Sequence, residues 1–464
     1  MKRDPYIYKS KTEFVKAFSQ KLVAITNREK LSVWLLVIIT TLLSWSFIHF
    51  QINVFLLETE YWSLIILSSI FYLFYHALDV LKSKVDRQLL LIFMLHAFAM
   101  AAYLAILPVT NTMLKLSAAS LLYWLVGFTI VRSPLYMQRL LNFNFILAIC
   151  LIFLNTIPVF HWLGIVDLDF RYVNRVGGEL GLGYLDPIYF GIFGATEGAA
   201  NAAYYISTAR LQGWSSEPLH WGYFVCLSSC MTLLLMSISK DIRKNRTLGG
   251  LLLYIIIYSY FLHSSSVNIS IVAMVMILVS YRFFHHRVAS DSRKALFLLT
   301  LAVIGPGFVI PFILSTIPGI ELLFIQDEVL GEGSNWKNKI EWLSVDNLYA
   351  RFLPQFSANL TASHNSILTY YLNMGYILTL PLLIFFYNLF LITVKADNLY
   401  LCAATIVFVV THTILIDSSL IYPSFVLWFL LIYYISKKLL DDKSKRFKCD
   451  DTIGHSKNNV LKMP

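Results

Sequence analysis

Groups able to do chemistry are sparse in this chain, and they gather in two stretches between apolar runs. One stretch closes with Ser363-His364-Asn365-Ser366, a histidine flanked by helix-capping residue types and followed at once by a long apolar run. In the first turn of such a helix the positive end of the dipole favours the neutral imidazole, which can accept a proton from a hydroxyl. The free N–H groups of the same helix end suit an anionic oxygen. Both stretches also hold cations: Arg171, Arg175 and Arg210 in the first, Lys337, Lys339 and Arg351 in the second. Glu179, Asp186, Glu197 and Glu341 are the acids that could assist a base, although a solvated or capping charge is the plainer role for each.

The elements that must position these groups are set by composition. Of 464 residues, 58% are hydrophobic and 14% charged, against about 25% charged in a soluble domain. Apolar runs of about 20 residues recur from end to end, which predicts an all-α integral membrane protein rather than a β-barrel. The expected spans are about twelve: 31–50, 61–81, 89–107, 113–131, 140–163, 220–239, 248–265, 267–284, 295–315, 366–391, 398–416 and 420–436. The segment 186–208 carries Glu197, Asn201 and several Gly and Ala, and charge placement decides against its crossing. With it uncrossed, the inner side holds 30 basic and 12 acidic residues and the outer side 7 and 15. Both termini then lie in the cytoplasm, and 186–208 is expected to be a re-entrant or interfacial helix.

That topology divides the chain into a basic tail (1–30), a five-span bundle (31–163), an outer loop (164–219), a four-span bundle (220–315), a large outer loop (316–365), a three-span bundle (366–436) and a second basic tail (437–464). Trp336, Ile340 and Leu343 fall at helical spacing after Ser334, which predicts a short amphipathic helix on the outer membrane face. The five cysteines, Cys150, Cys226, Cys230, Cys402 and Cys449, show neither a disulfide framework nor a metal-binding spacing. No cofactor, metal or nucleic-acid partner is expected. The spans hold almost no ionisable residues, which argues against a proton- or ion-coupled transporter.

Ser363-His364-Asn365-Ser366-Ile367-Leu368, followed by Gly375, resembles the His-Asn-x-x-Leu-(six residues)-Gly signature of the bacterial O-antigen ligase and O-antigen polymerase superfamily. Arg175-Val-Gly-Gly178, running on to Asp186-Pro187, is similar to the Arg-x-x-Gly…Asn/Asp-Pro pattern of the same proteins. The resemblance covers about 170–380 and implies a GT-C-like bundle of about twelve helices in the bacterial inner membrane, its large periplasmic loop containing short helices. It implies inverting, metal-independent glycosyl transfer from an undecaprenyl-diphosphate-linked glycan. His364 would lie near the acceptor hydroxyl with Asn365 beside it, and Arg351, Arg175, Arg171 and Lys339 would neutralise the leaving diphosphate, where fixed positive charge is needed.

Two departures are visible. Val267 and Asn268 follow Ser264-Ser265-Ser266 where many relatives carry an Arg, and Gly333-Ser-Asn-Trp stands in place of a Gly-Arg before Trp. They weaken a ligase more than a polymerase. The expected activity is therefore polymerisation of O-antigen or surface-polysaccharide repeat units, with transfer of the glycan to lipid A core as the alternative and a flippase or transporter as the alternative of another class. A chain-length regulator and a flippase are partners implied only by the resemblance.

Overall fold

A computed structural model describes residues 86–106, 134–162, 164–165, 218–262, 265–287, 290–309, 366–414 and 423–460, four short strands between 171 and 211, and isolated helical positions within 33–41 and 117–127. The helices are α1 (Arg87–Ile106), α2 (Pro134–Leu154), the short α3 (Ile157–Trp162), α4 (Pro218–Ile238), α5 (Ile242–Tyr260), α6 (Ser265–Arg287), α7 (Asp291–Leu299), α8 (Ser366–Ala396), α9 (Leu399–Ile414) and α10 (Pro423–Val460). A π-helical turn, Thr300–Val309, prolongs α7.

Among the described residues, three helical stretches are long and apolar enough to cross a membrane: Pro134–Leu154, Trp221–Ile238 and Leu378–Ala396. Shorter apolar stretches lie at Arg87–Ala102, Val267–Tyr281 and Leu399–Thr413. Large apolar side chains cover the outside of the bundle, among them Ile146, Leu253 and Val279, the last 79% exposed. Such a surface would aggregate in water and suits a hydrocarbon solvent.

At the centre, α4 and α9 are apolar on all sides and buried on all sides. Tyr223 meets His412, the Cys230 thiol donates to the Ala404 carbonyl, and Asn398 Nδ2 donates to the Ser237 carbonyl. Those three steps along the pair fix an antiparallel register. Small residues line it, Ser229 and Cys230 on α4 against Cys402, Ala403 and Ala404 on α9, so the backbones approach closely. Their hydroxyl neighbours bond within their own helices, Ser228 to the Phe224 carbonyl and Thr405 to that of Leu401. Those bonds keep the Ser228 and Thr405 hydroxyls satisfied away from water.

Cross-helix contacts sort the helix ends into two sets. One set gathers the starts of α4, α6, α8 and α10 with the ends of α2, α5 and α9; here Trp221 Nε1 donates to the Tyr258 hydroxyl, and Gly222 lies under Val267. The long connections 163–217 and 310–365 both leave from this set, so it is the loop end. The opposite set carries Asp86, Asp397, Lys437 and Lys443 and is the basic end.

The strands β1 (Arg171–Asn174), β2 (Leu185–Tyr189), β3 (Phe193–Thr196) and β4 (Arg210–Leu211) form an antiparallel sheet in sequence order. Arg171 opposes Ile188, Val173 opposes Asp186, and Thr196 opposes Arg210. The bundle is helical, as expected, but one expectation is corrected by this sheet: 186–208 is not one re-entrant or interfacial helix, because Leu185–Tyr189 and Phe193–Thr196 are strands. Within that segment the glycines at 191, 194 and 198 each weaken a helix by about 1 kcal/mol relative to alanine. Pro187 removes a further helix donor, whereas Tyr172-Val173 and Ile188-Tyr189 are residue types that suit a pleated strand. Open-edged strands do not occur in hydrocarbon against lipid.

Candidate functional site

Of the residues that the sequence singles out, Arg171 opens β1 and Asp186 lies in β2, with Arg210 two strands away. His364, Asn365, Arg351, Arg175 and Lys339 lie outside the described residues, as do the tail 1–30, the large loop 316–365 and the expected amphipathic helix after Ser334. What the structure does place is their frame. Helix α8 starts at Ser366, directly after Asn365. Gly375, the glycine of the signature, has φ 68° and ψ −177°, and at that residue α8 breaks into two helical parts. A side chain would strain this left-handed conformation, so the position calls for glycine. The Thr379 hydroxyl donates to the Gly375 carbonyl at 2.7 Å, and Pro381 brings no amide to the turn after the break.

At the loop end the structure assembles a polar cluster that sequence reading passed over. The Tyr223 hydroxyl lies 2.6 Å from His412 Nε2 and 2.9 Å from Ser424 Oγ. His412 Nδ1 lies 2.7 Å from the Phe408 carbonyl. All three side chains are buried, within a cage formed by the rings of Phe408 and Phe425, whose centroids are 4.4 and 4.9 Å from the imidazole. Each helix supplies one member for a local reason. Tyr223 sits one turn into α4, His412 lies in the last turn of α9, and Ser424 follows Pro423, whose fixed φ suits the first position of α10.

A carbonyl can only accept, so His412 Nδ1 carries a hydrogen. In the neutral ring Nε2 is then the acceptor, the Tyr223 hydroxyl donates to it, and the Ser424 hydroxyl donates to Tyr223. A second histidine lies on the far side of Phe425. His96 stacks on that ring at 5.2 Å with an 11° tilt, and its Nδ1 accepts from Trp124 Nε1 at 3.0 Å. Both histidines fall within expected spans, 89–107 and 398–416. The expectation of spans almost free of ionisable groups holds for Asp, Glu, Lys and Arg in these helices but not for histidine. The signal was present as Thr411-His412-Thr413, a polar triplet inside an otherwise apolar run.

The basic end is built from charge instead. Asp86 precedes α1, and one of its carboxylate oxygens accepts the Gln88 amide at 3.0 Å. The other accepts from the Tyr433 hydroxyl at 2.9 Å and pairs with Lys437 Nζ at 2.5 Å. Partial burial acts to raise the Asp86 pKa, but the hydrogen bonds from Lys437, Tyr433 and the Gln88 amide, with the Lys437 charge, outweigh it and hold the carboxyl below its ordinary value. No group of His, Cys, Asp and Glu side chains among the described residues is arranged to hold a metal ion. Comparison with protein families, with curated proteins and with solved structures finds no match for this chain.

Proposed function

We propose that this chain is a membrane-embedded glycosyltransferase with about twelve spans, acting at the outer face of a bacterial inner membrane on undecaprenyl-diphosphate-linked oligosaccharide. Its reaction is the joining of repeat units of O-antigen or a related surface polysaccharide. His364 takes the acceptor hydroxyl, with Asn365 beside it, and Arg351, Arg175, Arg171 and Lys339 neutralise the departing diphosphate. The observation that carries this reading is the fit of the signature to local structure. Its His-Asn pair abuts the start of α8, and its glycine is the residue at which α8 turns left-handed and breaks. The common departure of 163–217 and 310–365 from the loop end supports it further, because a donor site shared by both segments needs them on one face.

A second reading, a polysaccharide transporter, is favoured by one observation, the two buried histidines. One experiment separates these readings. Lipopolysaccharide from a strain lacking the gene is run on a gel beside strains complemented with wild type and with His364→Ala. Core carrying a single repeat unit, restored to a ladder by wild type but not by His364→Ala, is the polymerase result. Bare core with polymer left on the lipid carrier is the result for a ligase. A ladder restored equally by His364→Ala removes the transferase role of that residue and reopens the transporter.

A further inference from the structure

The register of the four strands sorts their residues onto two faces. Successive residues of a strand alternate between faces, and directly opposed residues of neighbouring strands share one. Arg171 opposes Ile188 and Val173 opposes Asp186; Ile188 in turn opposes Gly194, and Thr196 opposes Arg210. Arg171, Asp186, Thr196 and Arg210 therefore lie on one face, with Val173, Ile188 and Gly194 among them. Tyr172, Leu185, Tyr189, Phe193 and Leu211 lie on the other, together with Pro187, Ala195 and, at one corner, Asn174. Every charged residue of the strands falls on the first face and every aromatic residue on the second. A sheet of four short strands with one apolar face needs a layer over that face.

The position of the sheet indicates what that layer is. Strand β3 touches α3 and β4 touches α4, so the strands lie directly at the loop end of the bundle. Only 163–170 join α3 to β1, and only 212–217 join β4 to α4. Six residues reach at most about 20 Å, which keeps the sheet close to the helix ends. Phe160 of α3, Ile165 just beyond it and Tyr260 at the end of α5 are exposed there, and they belong to the apolar outside of the bundle. The sheet thus adjoins a surface suited to lipid. Its two open edges exclude it from hydrocarbon but not from the headgroup layer, where water and headgroups can satisfy the unpaired N–H and C=O groups. Tyrosine is a residue type that collects at that level, with an apolar ring and a wet hydroxyl.

We propose that the sheet is a membrane-surface element resting on the phospholipids of the loop-end leaflet, the face of Tyr172, Tyr189 and Phe193 against lipid and the face of Arg171, Asp186, Thr196 and Arg210 against water. The partner is the phospholipid surface itself. The inference rests on the membrane placement of the bundle and not on any transfer reaction. Arg171 and Arg210 then share the water side at headgroup depth, whatever anion they serve.

The test uses the full chain in nanodiscs of phosphatidylethanolamine and phosphatidylglycerol, with the photo-cross-linker p-benzoylphenylalanine at one position at a time. Tyr189→p-benzoylphenylalanine and Phe193→p-benzoylphenylalanine replace ring by ring, and mass spectrometry after irradiation should find both joined to phospholipid. The same substitution at Ile188 or Thr196, on the opposite face, should lose that adduct. Ile146, exposed on α2, is the reference position for lipid contact. Adducts from 189 and 193 to peptides of this chain or of a second copy make the covering layer protein and overturn the proposal, as do equal lipid adducts from both faces. An adduct from 146 with none from 189 and 193 overturns the placement of the sheet alone, whereas no adduct from 146 removes the membrane placement of the bundle and the proposal with it. Because a bulky group at 188 or 196 can disturb the strands, Thr196→Cys and Phe193→Cys give a second reading. A membrane-impermeant maleimide should label 196 and spare 193, with wild type supplying the background of the five native cysteines. Equal labelling of the two overturns the proposal.

Discussion

Two tyrosine-centred clusters hold the two ends of the same bundle, and they are built from opposite chemistry. Tyr223 at the loop end joins a histidine and a serine, all buried and uncharged in the neutral state. Tyr433 at the basic end joins Asp86 and Lys437, whose side chains remain 32% and 37% exposed. The difference follows from solvation. A carboxylate and an ammonium keep their charges where water still reaches them, whereas burial beside Phe408 and Phe425 would tax an ion pair by several kcal/mol per ion. Only groups able to satisfy one another without net charge are tolerated there. The loop end should therefore be costly to break and indifferent to salt, and the basic end cheap to break and sensitive to both salt and acid.

Substitutions rank accordingly, with Tm of the purified protein in nanodiscs as the measurement. His412→Ala leaves the Tyr223 hydroxyl without its acceptor and opens a cavity, which should cost about 3 kcal/mol whatever the ionic strength. Gly222→Leu forces a side chain into Val267, whose Cγ2 lies 2.5 Å from where a Cβ would stand, and should cost about 2 kcal/mol. At the other end, Asp86→Ala loses the bond to the Gln88 amide and the Lys437 pair and should cost about 1 kcal/mol, discounted further by high salt. Because the folded Asp86 pKa lies below its unfolded value, its contribution is present above about pH 4 and is lost as pH falls through the folded pKa. Wild type and Asp86→Ala should therefore converge in acid, and a constant gap down to low pH would break the contrast. Smallest is Lys443→Ala, which removes the 3.4 Å pair with Asp397 and should change stability by under about 0.5 kcal/mol.

What was legible in the sequence tracks the range of the interaction responsible. An apolar run is a local property, so the span expected at 220–239 coincides with Pro218–Ile238 and that expected from 366 with a helix starting at Ser366. The break at Gly375 carried a sequence signal as well, a glycine inside an apolar run. Tyr223 and His412 are 189 positions apart, and only antiparallel packing of two buried helices brings them together. Neither residue is unusual alone, which is why the cluster went unread although the triplet around His412 was visible. The strands were missed for a different reason. Charge placement decides whether 186–208 crosses, but its backbone form is decided by glycine spacing and by Pro187, which charge counting ignores.

Helix α10 has a consequence of a mechanical kind. Its 38 residues, at 1.5 Å each, make a rod of about 57 Å, nearly twice the thickness of a bilayer's hydrocarbon layer of about 30 Å. Its first 14 residues, to Ser436, are free of Asp, Glu, Lys and Arg, and its charged part begins at Lys437, where Asp86 grips it. The remaining 23 residues, Lys438 onward, therefore make a stretch of about 35 Å, anchored near its base by the Asp86–Lys437 and Asp397–Lys443 pairs and held straight by its own backbone bonds. Whatever docks on the tip of that stretch is held at a fixed stand-off from the membrane, and tilting the base at Asp86 would swing the tip through an arc many times larger than the movement at its root.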